Sequence, residues 1–305
     1  MTDLSIEIGN VHFKNPVFVA SGTFGYGTEN PDLVDLSKLG AIFTKSITLQ
    51  PREGNPPPRI VEAPSGMINS IGLANIGVEK YISELLPFYE NIDTPIIMNI
   101  AGSSLEEYIA VLERIEDISS PIIGYEINIS CPNVKEGGME FGVDCTMTEL
   151  LTSELRKRTD KLLIMKLSPN VTDITSIAIS AQNGGADAVS AINTVVGMSI
   201  DYKTQKSNIH TTFGGLSGPA IKPIGLAAVH KIFNSIHIPI IGIGGIVSSS
   251  DIVEYILAGA TAVQIGTANF RFPGISSKII DNLESYFDKY KMELPDIIGK
   301  VLHND

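Results

Sequence analysis

Short apolar runs alternate with longer amphipathic stretches along the whole chain. The runs are Val17–Ala20, Ala41–Lys45, Ile96–Ile100, Gly124–Ile129, Leu162–Lys166, Ala188–Ala191, Ile240–Ile243 and Ala262–Ile265. Most are apolar at nearly every position rather than at every second one, the pattern of parallel strands covered on both faces. Between them, Val78–Tyr89, Leu105–Ile115, Met147–Arg158, Val171–Asn183, Ile224–Asn234 and Ser250–Leu257 carry apolar residues at helical spacing. Asn170 and Asp251 have the character of helix caps or first-turn residues. Strand then helix, eight times over, predicts an α/β fold, the (β/α)8 TIM barrel. Ahead of the first run, SIEIGNVHF reads as two short strands around Gly9-Asn10, an N-terminal β-hairpin plugging the barrel bottom.

Two connections are longer than the ~2–6 residues of a plain βα loop. One runs from Lys45 to about Asn75 and contains Pro51, Pro56, Pro57 and Pro58; the other runs from Ala191 to about Gly218. Both leave the C-terminal ends of strands, the face where barrel enzymes keep their active sites, so both are expected to be long βα loops over a substrate. The chain has 305 residues. That length could divide at ~150 residues per domain, but α/β barrels of ~250 residues often form one. With no low-complexity linker, residues 1–305 are expected to form a single domain.

Composition narrows the function. Hydrophobic residues make up 43%, too many for a disordered chain. The formal charge is 22 − 34 = −12 with no Lys/Arg cluster, which argues against a nucleic-acid binder. Two cysteines cannot make a disulfide scaffold or a four-thiolate metal site, so a reducing, cytoplasmic setting is expected. The start, MTDLSIEIGN, has neither the basic end nor the apolar core of a signal peptide. The uncharged window Ile232 to Ser250 is long enough for a membrane span, but Asn234, His237, Pro239, three glycines and four serines mark it as a buried strand with its loops.

Polar residues recur where each run ends, at the expected catalytic mouth: Ser21, Lys45, Asn99, Asn128, Cys131, Lys166, Asn193 and Thr194, then Gly244, Gly245, Gly266 and Thr267. A lysine at the end of a doubly covered strand needs a partner, because a buried unpaired ammonium is costly. Lys166 in LLIMKLS either snorkels to solvent or supplies a fixed positive charge to a bound anion or electron-rich ring; Lys45 in IFTKSIT repeats the arrangement. Gly242-x-Gly244-Gly245 and Gln264-Ile265-Gly266-Thr267 end the last two runs. Glycines there suit ordinary tight turns, and they also let backbone N–H groups and a following helix N-terminus approach an anion, at the loops where TIM barrels commonly bind phosphate. Position 247 is Val, so no dinucleotide fingerprint is completed. Cys131, in NISCPN, is a small buried thiol or a general base placed in a turn by Pro132; both readings stand on position alone. Cys145 has no such setting and is expected to be structural. No histidine stands out at the mouth: His12, His230, His237 and His303 lie in the hairpin, helical regions or tail, and His210 is in the second long loop, which disfavours a His triad or His metal site.

The chain resembles the dihydroorotate dehydrogenase family, in its type B group of catalytic subunits. The stretches that carry this are ASGTFGYG (20–27), TKSIT (44–48), REGNPPPR (52–59), NSIGLAN (69–75), NISCPNVKEGGMEFG (128–142), NTVVGMSID (193–201), GGLSGPAIKP (214–223), GIGGI (242–246) and QIGTA (264–268). The resemblance implies one FMN across the barrel mouth, held by Ser21, Lys45, Ser46, Asn99, Asn128, Lys166, Ile192, Gly218, Gly244, Gly245, Gly266 and Thr267, the last four on the phosphate. It implies that Lys166 faces the pyrimidine edge of the flavin. It implies substrate contacts at Lys45, Asn69, Ser70, Ile71, Gly72, Leu73, Asn128, Asn133, Asn193 and Thr194. Cys131 matches the catalytic base, which takes a proton from C5 of dihydroorotate while flavin N5 accepts a hydride from C6. It also implies a partner: an electron-transfer subunit with FAD and a 2Fe-2S cluster passing electrons to NAD+, in a heterotetramer of two catalytic and two electron-transfer chains. Two cysteines are too few for such a cluster in this chain.

Three other readings remain. A fumarate-using soluble dihydroorotate dehydrogenase also has cysteine as its base. A flavin-free Schiff-base lyase would use Lys166 as its nucleophile. A non-catalytic scaffold would use neither Cys131 nor Lys166.

Overall fold

The computed structural model describes residues 3–29, 33–130 and 141–302. The chain opens with an antiparallel hairpin of β1 (Ile6–Ile8) and β2 (Val11–Phe13), Ile6 opposite Phe13. Its turn uses Gly9 at φ 57°, where a Cβ would come within 3.3 Å of Leu162 and 3.5 Å of Asp187. Both neighbours stand at the N-terminal ends of barrel strands, so the hairpin covers the bottom of the barrel as its sequence predicts.

Next come β3 (Val17–Val19) and β4 (Ala41–Phe43), then β5 (Ile60–Ala63) and β6 (Gly66–Asn69) within the first long connection. They are followed by β7 (Ile96–Ile100), β8 (Ile122–Asn128), β9 (Leu162–Leu167) and β10 (Ala188–Ala191). The second long connection carries β11 (Val195–Gly197), β12 (Ile200–Asp201), β13 (Lys206–Ser207) and β14 (Gly214–Ser217), and β15 (Ile240–Ile243) and β16 (Ala262–Ile265) complete the set. Strands β3, β4, β7, β8, β9, β10, β15 and β16 close into a parallel barrel. These eight coincide with the eight apolar runs. Their side chains are buried on both faces because helices cover the outside, which is why the runs do not alternate.

The helical part is less regular than eight repeats. Among the described residues between β3 and β4 there is one 3-10 turn, Leu36–Lys38, and no α-helix. The stretch after β4 is α1 (Val78–Lys80), a π-helical segment (Tyr81–Leu85) and α2 (Leu86–Tyr89). Pro87 lacks an N–H and cannot close an ordinary helical hydrogen bond, so one unbroken helix is not available there. Helices α3 (Leu105–Glu116), α4 (Cys145–Arg156), α5 (Ile174–Asn183), α6 (Lys222–Phe233) and α7 (Ser249–Leu257) fall on the expected stretches. After β16 come α8 (Ala268–Arg271), α9 (Ile275–Tyr290) and α10 (Leu294–Ile297). Helix α9 completes the ring against β3 and α7. Asp251 is the N3 partner of Ser248 in a capping box, as expected. Asn170 is not a cap. Asp173 caps α5, and hydrogen bonds from Ser176 and Thr175 hold its carboxyl down at about 2.

The two long connections are not separate flaps. β6 pairs antiparallel with β14, and β5 and β11 flank them, so the two connections share one four-stranded sheet beside the barrel mouth. Asn170 ties this sheet to the barrel: its Nδ2 donates to the Thr194 carbonyl and its Oδ1 accepts from Val196 N–H, each at 2.9 Å. Among the described residues, no helix is long and apolar enough to cross a membrane, and no cluster of His, Cys, Asp or Glu could hold a metal ion.

Candidate active site

Side chains two apart on a strand share a face, so Glu126 and Asn128 of β8 both enter the barrel. The register sets Asn99 beside Glu126, Lys166 beside Asn128 and Ser190 beside Lys166. The result is a layer of polar side chains across the barrel interior. Glu126 is its centre. It is fully buried and accepts from Asn99 Nδ2 at 2.6 Å, Ser190 Oγ at 2.7 Å, Gln264 Nε2 at 2.7 Å and Lys166 Nζ at 3.3 Å. Removing one member of a buried ion pair typically costs ~3–5 kcal/mol, so this pair fixes Lys166 firmly.

The network continues upward. Ser46 Oγ donates to Asn99 Oδ1 at 2.5 Å, Asn128 Nδ2 approaches Ser46 Oγ at 3.5 Å, and Asn193 Nδ2 donates to Asn128 Oδ1 at 3.3 Å. Asn193 Oδ1 accepts the N–H of Thr194 at 2.8 Å. One chain of hydrogen bonds therefore joins the ends of β4, β7, β8 and β10.

Above this layer lies a cleft that opens to solvent. Ser21, Lys166, Ile192, Asn193, Thr194, Gly218, Gly244, Gly245, Gly266 and Thr267 line it. Its glycine end is tightly built. Gly244 has φ 129° and Gly245 φ 71°, and a Cβ on Gly245 would lie 2.8 Å from Lys222 Cβ and 2.9 Å from the Gly218 carbonyl. At Gly266 a Cβ would meet nothing closer than 3.6 Å, so the fold itself does not demand glycine there. The Lys222 ammonium pairs with Asp251 at 2.6 Å and with Glu254 at 3.0 Å.

Lys45 lines a neighbouring cavity with Gly22, Phe24 and Glu29. Its ammonium makes no hydrogen bond or ion pair with the described residues. Burial lowers its pKa and Arg59 adds to this, while Glu29 opposes both. The segment Asn69–Leu73 lines neither cavity but sits in the β5–β6 arm. Asn69 Nδ2 donates to the Gly215 carbonyl at 3.3 Å, and a Cβ on Gly215 would strike Thr194. Strand β14 thus links this arm to the cleft wall. Ser70 Oγ is buried with no partner among the described residues, and Gly72 and Leu73 have φ of 74° and 55°. Asn75 holds the segment's end, accepting from Thr48 N–H and Gly77 N–H and donating to the Leu73 carbonyl.

Cys131 and Asn133 lie outside the described residues. On the described side, Ser130 N–H donates to Asn128 Oδ1, and Gly142 packs against the Ile129 carbonyl. Cys145 is exposed at the first turn of α4 rather than packed in the core. Glu126 and Gln264 are absent from the sequence-based site. The signal for Glu126 was available, since a carboxylate inside GYEINIS, a run covered on both faces, requires a partner.

The sequence profile of the dihydroorotate dehydrogenase family matches residues 3–287. The chain is 49% identical to the dihydroorotate dehydrogenase B (NAD(+)) catalytic subunit of Geotalea daltonii, over 98% of each chain. It is 48% identical to the protein of the same description from Parabacteroides distasonis, over 99% of each. The crystal structure of Eimeria tenella DHODH with ferulenol superposes with a TM-score of 0.80 at 22% identity, covering 98% of this chain and 88% of that one, a likeness of fold. Profile and relatives agree: the chain belongs to the dihydroorotate dehydrogenase family.

Proposed function

We propose that this chain oxidises dihydroorotate to orotate in pyrimidine (UMP) biosynthesis, as the FMN-bearing catalytic subunit of an NAD+-linked, type B enzyme. The observation that carries this reading is the continuous polar floor from Glu126 and Lys166 to Asn193, lying beneath a cleft whose far end is a glycine cradle. The cradle suits a phosphate, because the positive-φ backbone at Gly244 and Gly245 runs bare along the cleft wall, where N–H groups can approach an anion. Residues 1–305 form a single FMN-binding unit in this reading.

Bound FMN supplies a two-electron acceptor at N5. The protein's own residues do the rest. Gly244, Gly245, Gly266 and Thr267 hold the phosphate, while Ser21, Ile192 and Gly218 shape the cleft around the cofactor. Ser46, Asn99 and Asn128 fix the polar floor, and the Lys166 ammonium neutralises negative charge at the ring's pyrimidine edge. Lys45 binds the substrate carboxylate, which gives its half-buried ammonium a partner that the described residues do not supply. Asn128, Asn193 and Thr194 orient the substrate ring, with Asn133 and the Asn69–Leu73 arm completing the enclosure. Cys131, as thiolate, removes the C5 proton. The Lys166–Glu126 ion pair works against the lyase reading, because a Schiff base needs a neutral amine.

Electrons leave through a partner subunit carrying FAD and a 2Fe-2S cluster, in a heterotetramer of two catalytic and two electron-transfer chains in the cytoplasm. The description "catalytic subunit" of the relatives supports such a partner. The test is direct. The purified chain should be yellow with a flavin spectrum that anaerobic dihydroorotate bleaches. Colourless protein trapped by borohydride with a carbonyl substrate would overturn the reading in favour of the lyase.

A further inference from the structure

The most deeply buried charge at this site has no role in the chemistry above. Glu126 has both carboxylate oxygens filled: Oε1 accepts from Ser190 and Gln264, and Oε2 accepts from Asn99 and Lys166. Three of these donors are neutral. They hold the carboxylate in place but cannot balance its charge. Lys166 can, and the need is mutual. The Lys166 side chain is 7% exposed, and Glu126 is its one acceptor among the described residues. Lys166 is also the only charged side chain among the described residues that line the cleft. The other strand-end cation, Lys45, lines the neighbouring cavity beside Glu29 and under the influence of Arg59. The strands paired with β9 present Asn128 from β8 and Ser190 from β10 beside Lys166, and the further donors to Glu126, Asn99 from β7 and Gln264 from β16, are also neutral.

We propose that Glu126 is the positioning counter-ion of Lys166, keeping it a charged ammonium at the cleft so that reduction of the bound flavin takes up one proton rather than two. This rests on the FMN reading of the cleft. Two-electron reduction adds two electrons and one proton, at N5, and leaves a negative charge around N1 and the C2 carbonyl. An ammonium already in place balances that charge without a further proton. A neutral lysine would instead take a second proton from water as the two electrons arrive.

The measurement is proton uptake per two electrons, from the pH dependence of the midpoint potential of the FMN-loaded protein with dithionite as reductant. The wild-type chain should take up one proton across the neutral range. In Glu126→Gln the ammonium loses its counter-charge in a dry site, which favours the neutral amine. Uptake should double, to two. A Glu126→Gln protein that still takes up one proton overturns the proposal.

Should Glu126→Gln fail to fold, Lys166→Met tests the same pair without flavin. The stranded carboxylate should take a proton and show the infrared carbonyl band of a carboxylic acid. The band should be absent from the wild type and from the charge-balanced Glu126→Gln/Lys166→Met protein. A Lys166→Met protein without the band overturns the proposal. A wild-type chain that refuses FMN overturns it together with the reading of the cleft, whatever the infrared result.

Discussion

At the residue scale, the proposed reaction rests on two side chains, and each has its own test. Cys131→Ala should nearly abolish flavin reduction by dihydroorotate while leaving FMN bound; equal loss in Cys145→Ala would mean the wrong thiol was chosen. Lys45 gives a pH prediction. Burial favours its neutral form, so its pKa lies below that of a free lysine. Carboxylate binding needs the ammonium, so orotate affinity should fall on the alkaline side, starting at lower pH than a free lysine would give. Lys45→Arg stays charged throughout. Orotate titrations should show the alkaline loss in the wild type and not in Lys45→Arg; coincident profiles would remove Lys45 from the carboxylate site. Lys45→Ala should weaken orotate about 10–100-fold, the worth of ~1.5–3 kcal/mol for a hydrogen bond to a charged group. The same desolvation logic explains why Lys166, in an almost sealed position, is paired with Glu126, whereas Lys45, half-buried, stands without a partner among the described residues.

At the element scale, the glycine turns after β15 and β16 separate two demands that sequence alone merges. Gly245 is required by the fold, since φ 71° and a contact at 2.8 Å both penalise a side chain. Gly266 is under no such constraint from protein atoms. Gly245→Ala should therefore lower both the melting temperature of the flavin-free protein, by the equivalent of ~1–2 kcal/mol or more, and its FMN content. Gly266→Ala should lower FMN content while leaving the flavin-free melting temperature unchanged. Full FMN content in both variants would rule out the phosphate cradle. The long connections teach a related lesson. Their lengths pointed to a role at the mouth, but their pairing through β6 and β14 makes each the other's support. Asn170, which resembles a cap by type and position, instead clamps β11 to the barrel. A side chain with one donor and one acceptor suits both jobs, and only its neighbours distinguish them.

At the scale of the molecule, a barrel that holds FMN at its mouth, as proposed, needs an outlet for electrons. Two cysteines do not supply a four-cysteine cluster. The isolated chain should reduce its own flavin with dihydroorotate yet turn over NAD+ poorly, and an FAD/iron–sulfur protein should co-purify with it. Efficient NAD+ turnover by the chain alone would remove the need for a partner.

The sequence by itself determined the eight strands, the bottom hairpin and the family. Buried runs, turn glycines and strand-end polar residues are local signals, each contained in a few consecutive positions. Only the tertiary structure decided that the first barrel unit, in its described part, has a 3-10 turn in place of an α-helix, that two distant connections share a sheet, and that Glu126 gathers Asn99, Lys166, Ser190 and Gln264 around one carboxylate. These depend on register between strands up to 138 residues apart. The barrel's closure, not any single segment, brings their side chains to a common axis.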